Sequence, residues 1–115
     1  MRVIDSKLAE IRRANDILLG TRLTGNVMWR PAFAKLQRSV QQALLDQARL
    51  APEYDVARDP KGEHAAGFAR IDAHVLVWDI LYYDGRRAGF QGRSPDPSDP
   101  YVTRRVLLLD YLSMP

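Results

Sequence analysis

The sequence contains no cysteine, which excludes disulfides, a thiol nucleophile, iron–sulfur clusters and cysteine-ligated zinc. It has no run approaching the roughly 18 consecutive apolar residues that a membrane-spanning helix needs. The first six residues also lack the basic-then-apolar order of a signal peptide. We therefore expect a cytoplasmic protein with no membrane partner.

Histidine is scarce too, with only His64 and His74. Glu63 and His64 could bind a metal or move a proton, but adjacent residues point apart and no further histidine completes a ligand set. We interpret Gly62-Glu63-His64 as a turn that hydrogen-bonds itself, and His74 as an exposed residue at a hairpin corner. The serine-elbow, phosphate-loop and dinucleotide glycine motifs are missing. We therefore predict no metal, no cofactor and no catalytic residue.

Lysine accounts for only three of the 17 cations, Lys7, Lys35 and Lys61, and arginine for the other 14. The planar guanidinium suits carboxylates, phosphates and aromatic faces, so this bias indicates a contact surface; a GC-rich genome would produce the same bias. Residues 1–50 carry nine cations and four acids, whereas residues 51–115 carry eight and ten. The positive charge therefore belongs to the first half of the chain.

The chain has 115 residues, 46% of them apolar and 27% charged, which predicts one globular domain over residues 1–115. Helical spacing of apolar residues predicts a helix over about 6–19 that stops at Gly20. A second helix is predicted over about 32–50, with Pro31 in its first turn. Two prolines and a glycine make 51–62 a connecting loop.

Alternating apolar residues predict strands in the second half of the chain. Phe68–Asp72 and His74–Asp84 are separated by a tight corner, as in a β-hairpin, and Val102–Leu109 is a third strand. Both faces of His74–Asp84 are mostly apolar, which is typical of a central strand covered on each side. A short strand or hairpin arm is predicted around Gly25-Asn26. The fold is predicted as α+β, with two helices packed on a three- to four-stranded, mostly antiparallel sheet.

A long segment without apolar periodicity separates the last two predicted strands. It contains three glycines and three prolines, and loops of this length are either functional or flexible. The prolines exclude a helix or a central strand here. We expect an extended acidic loop in which Asp96 and Asp99 lie opposite Arg86, Arg87 and Arg93, forming either an ion-pair clasp or part of a binding surface.

Several segments combine into one pattern: GEH at 62–64, WDILYYD at 78–84, SPDPSDP at 94–100 and TRRVL at 103–107. This pattern resembles a family of small bacterial proteins classed only as a domain of unknown function. The stretches ND at 15–16 and LTGNVM at 23–28 are similar to that family as well, so the resemblance covers nearly the whole chain.

The resemblance implies an accessory protein of plasmids, prophages or other mobile elements, and it brings no activity with it. The chain departs from the family pattern at Ala65, where the family has an acid, and at Asp110–Ser113, which replaces a glutamate- and tyrosine-rich ending. A carboxylate-dependent site at those positions would be impaired in this chain.

Small mobile-element proteins often inhibit host defence by occupying a surface of a larger complex, and arginine, tyrosine and tryptophan dominate such interfaces. We predict a non-enzymatic protein-binding factor, an inhibitor of a host defence system such as a CRISPR effector. Its partner would be a host protein or complex, including one associated with nucleic acid. Phe90 either covers the sheet or contacts that partner. The predicted surface comprises Tyr83, Arg86, Arg87, Phe90, Arg93, Asp96, Asp99 and Tyr101.

The alternative is a nucleic-acid-binding protein, in particular a ribonuclease toxin that resembles the RelE and ParE groups. Such toxins cleave RNA by charge stabilisation from residues scattered on a sheet, and the sequence pI near 9.5 suits this role. The acids at both ends of WDILYYD oppose it, because they would repel phosphate. The residues for this role would be Arg70, Tyr82, Tyr83, Arg104 and Arg105.

Overall fold

The helices occupy the first half of the chain and most of the sheet occupies the second. A computed structural model describes residues 5–22 and 25–113. Its elements are α1 (Ser6–Thr21), β1 (Asn26–Trp29), α2 (Pro31–Ala34), α3 (Arg38–Leu50), β2 (Glu53–Tyr54), β3 (Ala66–Ile71), β4 (His74–Asp84) and β5 (Thr103–Ser113).

The five strands form one sheet in the order β1-β5-β4-β3-β2, antiparallel except for the β1–β5 pair. The α+β class is confirmed, but the sheet has five strands rather than three to four. The additional strand is β2, whose two residues pair with Phe68 and Gly67 inside the segment predicted to be a loop. A strand of two residues is too short to show the alternation of apolar and polar residues from which strands are predicted.

The segment around Gly25-Asn26 forms an edge strand and not a hairpin arm. Val27 lies opposite Leu107 in a parallel pairing with β5, whose apolar run supplies its partner. Leu23 and Thr24, which the resemblance includes, lie outside the described residues.

Helix α1 begins where predicted and ends slightly later. The Asp5 carboxylate accepts a hydrogen bond from the Lys7 backbone N–H at 2.9 Å, which caps the first turn. The helix continues through Gly20 to Thr21. Arg22 takes the left-handed conformation (φ 58°) and donates its N–H to Leu18 O at 2.8 Å. Arginine, not glycine, therefore terminates this helix.

The predicted helix over 32–50 is wrong as one piece, because it breaks between Ala34 and Arg38 into α2 and α3. The side-chain amide of Gln41 donates to Phe33 O at 3.0 Å and to Ala34 O at 3.3 Å. These bonds satisfy carbonyls at the end of α2 that a continuous helix would have satisfied with its own backbone.

All three helices contribute to a core on one face of the sheet. Trp78 lies opposite Leu109 and Gly67 on the neighbouring strands, and its ring is completely buried. A Cβ at Gly67 would lie 2.5 Å from Trp78 Cζ2, so the close approach of this ring requires glycine. The other core residues are Leu18, Leu19, Phe33, Leu44, Leu45, Ala48, Ala69, Leu76, Ile80 and Leu107.

The opposite face of the sheet has no helix on it among the described residues. The cover predicted for this second side of β4 is partial, because Val75 is buried there but Leu81 is exposed. We call this side of the sheet the open face. Its apolar residues are Met28, Ala66, Phe68, Val75, Val77, Leu81, Val106, Leu108 and Leu112, of which Ala66, Val75 and Val106 are buried. Within the same described ranges, no helix combines the length and hydropathy that crossing a membrane requires.

Candidate protein-binding surface

The long loop after β4 begins with a turn built around Asp84. Its carboxylate accepts hydrogen bonds from the Arg86 backbone N–H at 3.0 Å and from the Arg86 guanidinium at 2.9 and 3.0 Å. Arg87 Nε lies 3.6 Å from the same carboxylate. The hydrogen bonds from Arg86, with the charges of both arginines, lower the pKa of Asp84 to about 2. Asp84 is therefore ionised in neutral solution.

The first half of the loop lies over the open face. The Arg104 guanidinium donates to Arg87 O at 2.8 Å and also to Gly89 O. The rings of Tyr83 and Phe90 meet edge to face with centroids 5.5 Å apart. Phe90 thus covers part of the sheet, yet it remains 46% exposed, so its outer edge is free to contact another molecule.

The second half of the loop passes to the helix side of the sheet. Ser94 bonds Thr103 through their hydroxyls at 2.7 Å, and Pro97 O accepts a hydrogen bond from Arg105, which faces the helices. Asp96 lies 3.5 Å from Lys7 at the start of α1. The loop therefore connects the open face to the N-terminal end of α1.

The expected ion-pair clasp within the loop is wrong. Asp96 pairs with Lys7 instead and accepts from the Ser98 N–H and hydroxyl. Asp99 accepts from the Tyr101 N–H at 2.9 Å. The prolines around both acids fold them into local turns, which turn the carboxylates away from the loop arginines. Arg86 and Arg87 pair with Asp84, the last residue of β4, in their place.

The eight residues predicted as one surface are consequently divided among three places. The residues near the end of β4 and the first half of the loop stay together: Tyr83, Arg86, Arg87, Phe90 and Arg93. Asp96 and Asp99 belong to the second half of the loop. Tyr101, almost fully exposed, lines a separate small cleft with Asn26 and Arg104.

Sequence reasoning missed the main body of the exposed surface, which is the open face itself. Met28 is 45% exposed, Leu81 36% and Leu112 52%. Met28 lies beside Leu108, and Leu112 lies beside Val75 in neighbouring strands. The alternation in β4 did indicate an apolar second face, but alternation cannot tell whether another layer covers that face.

Four of the family-like segments, ND at 15–16, GEH at 62–64, WDILYYD at 78–84 and TRRVL at 103–107, each contribute a residue to a polar cluster under the helices. Asn15 is fully buried and donates to the Tyr82 hydroxyl at 2.7 Å and to Glu63 O at 3.0 Å. Its own oxygen accepts from Arg105 Nε at 2.9 Å. The Tyr82 hydroxyl donates to the Glu63 carboxylate at 3.2 Å. The cluster joins α1, the GEH turn, β4 and β5.

Burial dominates the titration of this cluster. It raises the pKa of Tyr82 well above its ordinary value of 10.0 and lowers the pKa of the Arg105 guanidinium. Tyr82 therefore stays protonated at neutral pH and acts as a hydrogen-bond donor. These groups fix the helices to the sheet.

The two histidines are both part of the packing. His64 Nδ1 lies 2.9 Å from the Asp16 carboxylate, and its ring stacks on Tyr54 with centroids 4.1 Å apart. The GEH turn therefore bonds to α1 and not only to itself. His74 is not an exposed corner residue, because Nδ1 lies 2.7 Å from the Tyr111 hydroxyl on the neighbouring strand.

The five residues of the ribonuclease alternative do not come together. Tyr82 and Arg105 face the helices, whereas Arg70, Tyr83 and Arg104 lie on the open face. Arg70 pairs with Glu53 at 3.0 Å, and Arg104 binds the backbone of the loop. In the described part of the chain, no group of three or more acidic or histidine side chains is placed to hold a metal.

Comparison with known proteins gives one match. A family model described as "Protein of unknown function (DUF3768)" matches residues 30–111. No curated protein and no solved structure matches the chain. The matched range includes α2, α3, the strands β2, β3 and β4, the long loop and most of β5, but neither α1 nor β1. The chain belongs to the DUF3768 family of proteins of unknown function.

Proposed function

We propose that this protein acts by binding another protein through the open face of its sheet. The observation that carries the proposal is the exposure of Met28, Leu81 and Leu112 on one face that no helix covers among the described residues. Met28 on β1 and Leu81 on β4 flank β5 beside Leu108 and Val106, and Leu112 lies further along β5 beside Val75. Exposed apolar side chains on three neighbouring strands of one face are typical of an interaction site.

The surroundings of this face also suit a protein partner. At one end, Phe90 and Tyr83 add an aromatic pair, and Arg86 lies nearby with its guanidinium half-exposed. Aromatic and arginine side chains contribute most to binding at protein interfaces. Carboxylates lie between the apolar residues at Asp79 and Asp110, which makes the face less suitable for a phosphate backbone.

The proposed partner is a host protein or complex that carries out defence against mobile elements. Two considerations support this choice: the resemblance to accessory proteins of plasmids and prophages, and the exposed apolar side chains of the open face. A protein that binds in this way would inhibit a larger complex by covering one of its working surfaces. We propose no reaction on a substrate.

Affinity capture with matched variants tests binding through the face. Leu81→Asp/Leu112→Asp places two charges on the open face. Leu50→Asp/Val56→Asp places two charges on side chains that are even more exposed but lie elsewhere. We expect wild type and the control to retain the same protein from the native host, and the face variant to lose it. Equal retention by all three would contradict binding through this face.

The defence role has its own test in cells. The wild-type protein is expressed in the native host, which is then transformed with a plasmid that the host's nuclease-based defence recognises. We expect transformation to rise with wild type and with Leu50→Asp/Val56→Asp, but not with Leu81→Asp/Leu112→Asp. Unchanged transformation, together with a confirmed partner, would reject the defence role and leave the binding surface in place.

A further inference from the structure

A cleft of about 460 Å³ opens at the edge of the sheet, where β4 extends beyond the start of β3. The 58–65 segment forms one side and Gly92-Arg93 the other, with β4 residues 79–83 between them. Ala65 and Ser94 are the last residues on each side that bond to β4 before the two chains diverge. The cleft is therefore a gap in the pairing of this strand.

The backbone of β4 is unpaired inside this gap. Ile80 donates its N–H to Ala65 O at 2.7 Å, and Tyr82 O accepts from Ser94 N–H at 3.1 Å. Strand geometry points the Ile80 carbonyl and the Tyr82 N–H toward the same edge. Neither has a partner among the described hydrogen bonds. One acceptor and one donor therefore face the cleft side by side.

The charges around the gap are also partly unpaired. The Arg58 guanidinium forms ion pairs with the carboxylates of Asp55 and Asp79, with N–O distances of 2.6 and 2.8 Å. Asp59 accepts from the backbone N–H groups of Glu63 and Ala65, at 2.9 and 3.3 Å. Lys61 and Arg93 line the cleft but form no ion pair among the described residues. Two cations are thus available to an anionic ligand.

We infer that this cleft binds the C-terminal residue of a peptide chain, with its free carboxylate. The N–H of that residue would donate to the Ile80 carbonyl, and its carboxylate would accept from the Tyr82 N–H. Lys61 and Arg93 would neutralise the carboxylate charge. Pro60, Ala65 and Leu81 would contact an apolar side chain on the terminal residue.

Two features favour a chain end over other anions. Residues Ala65 and Ser94 occupy both flanks, so a continuous strand cannot lie along β4 here, whereas a chain end can enter the gap. Capture of a terminal carboxylate by backbone N–H groups is a known form of peptide recognition.

The test is an NMR titration of the ¹⁵N-labelled full chain. One probe is a pool of acetylated tripeptides that end in leucine, valine or phenylalanine as free acids, and the other is the same pool with amidated ends. We expect the free acids to shift the Tyr82 N–H resonance and to slow its hydrogen exchange. The amidated pool should bind about ten-fold more weakly, because it lacks the charge.

Matched variants test whether Lys61 and Arg93 contribute to binding of the peptide carboxylate. Lys61→Ala/Arg93→Ala should weaken binding of the free acids about ten-fold. Lys35→Ala/Arg13→Ala removes the same charge outside the cleft and should leave binding unchanged.

Several outcomes would overturn the inference: equal binding of both pools, no shift of Tyr82 at millimolar peptide, or an equal shift by acetate or by a short oligothymidylate. Leu81 lines both the cleft and the open face, so two other variants separate the proposals: Leu112→Asp alone should leave peptide binding unchanged, and Lys61→Ala/Arg93→Ala should leave the partner of the open face bound.

Discussion

At the scale of single residues, the Asn15 side chain links α1 to the sheet through several hydrogen bonds. It bonds Tyr82, Arg105 and the backbone of Glu63 while fully buried. Asn15→Leu would leave the buried Arg105 and Tyr82 each short of a partner. We expect a loss of about 3 kcal/mol in the free energy of unfolding, measured by urea denaturation.

Gln42→Ala is the control for Asn15→Leu. It removes an exposed amide whose one described side-chain bond goes to Asp46 at 2.9 Å, and it should cost less than about 0.5 kcal/mol. Similar losses in the two variants would show that the polar cluster does not join the helices to the sheet.

Two glycines should respond in opposite ways to alanine. Gly67→Ala would place a Cβ 2.5 Å from Trp78 Cζ2, and we expect a loss of about 2 kcal/mol or more from this overpacking. Gly20→Ala lies in α1 with its nearest neighbouring atom, Arg49 Cγ, at 3.8 Å. It should gain up to about 1 kcal/mol from helix propensity. Thermal unfolding of both variants measures the difference, and a shift of the same sign would contradict the packing described here.

The carboxylate of Asp84 makes stability depend on acidic pH. Its pKa of about 2 in the folded protein is below the ordinary 3.8, because Arg86 donates hydrogen bonds to it. Its stabilising effect is therefore fully present above about pH 4 and is lost as the pH falls toward 2. We expect the difference in Tm between wild type and Asp84→Asn to be larger at about pH 5 than at about pH 2.5.

Asp72→Asn is the control for Asp84→Asn, because it removes one exposed carboxylate from the turn between β3 and β4. A Tm difference for Asp84→Asn that stays constant between the two pH values would show that Arg86 does not stabilise the ionised carboxylate.

At the scale of elements, the first half of the long loop depends on one side chain. Arg104 donates to the carbonyls of Arg87 and Gly89, and Phe90 then packs on Tyr83. Arg104→Met should loosen this segment, so that trypsin cleaves after Arg86 and Arg87 several-fold faster. Arg70→Met removes the same charge from the same face and should leave the cleavage rate unchanged. Equal rates in both variants would mean that the loop is fixed by other contacts.

The elements that the sequence predicted best are those with long, regular periodicity. β4 matches its predicted range, and β5 runs four residues further than predicted, to Ser113. The break between α2 and α3 could not be predicted, because the Gln41 side chain that bonds to the end of α2 comes from the following helix. The periodicity of apolar residues within one segment gives no information about a side chain that bonds to it from another segment.

Contacts between residues that lie far apart in the sequence were the least predictable feature of the candidate site. Asp96 was expected to meet loop arginines but meets Lys7, about ninety residues earlier in the chain. The motifs around Asn15, Tyr82 and Arg105 were noted as one family-like pattern, yet only the fold shows that they form one buried cluster. Such contacts depend on how the strands are arranged in the sheet.

At the scale of the whole molecule, the layers are asymmetric. Three helices pack on one face of a five-stranded sheet, whereas among the described residues only the first half of the long loop lies over the other face, which leaves Met28 and Leu112 exposed. Apolar strands exposed in this way are an aggregation risk unless something covers them. A bound partner would remove that risk, and this asymmetry is the main support for the proposed function.

The most direct measurement of this central claim is site-specific photo-crosslinking in the native host. A photoreactive phenylalanine analogue is placed at Leu112 on the open face or, as a control, at Leu50 at the end of α3; both side chains are exposed. We predict a discrete crosslinked adduct with another protein from the Leu112 position and none from the Leu50 position. Adducts from Leu50 alone, or from neither position, would contradict binding through the open face.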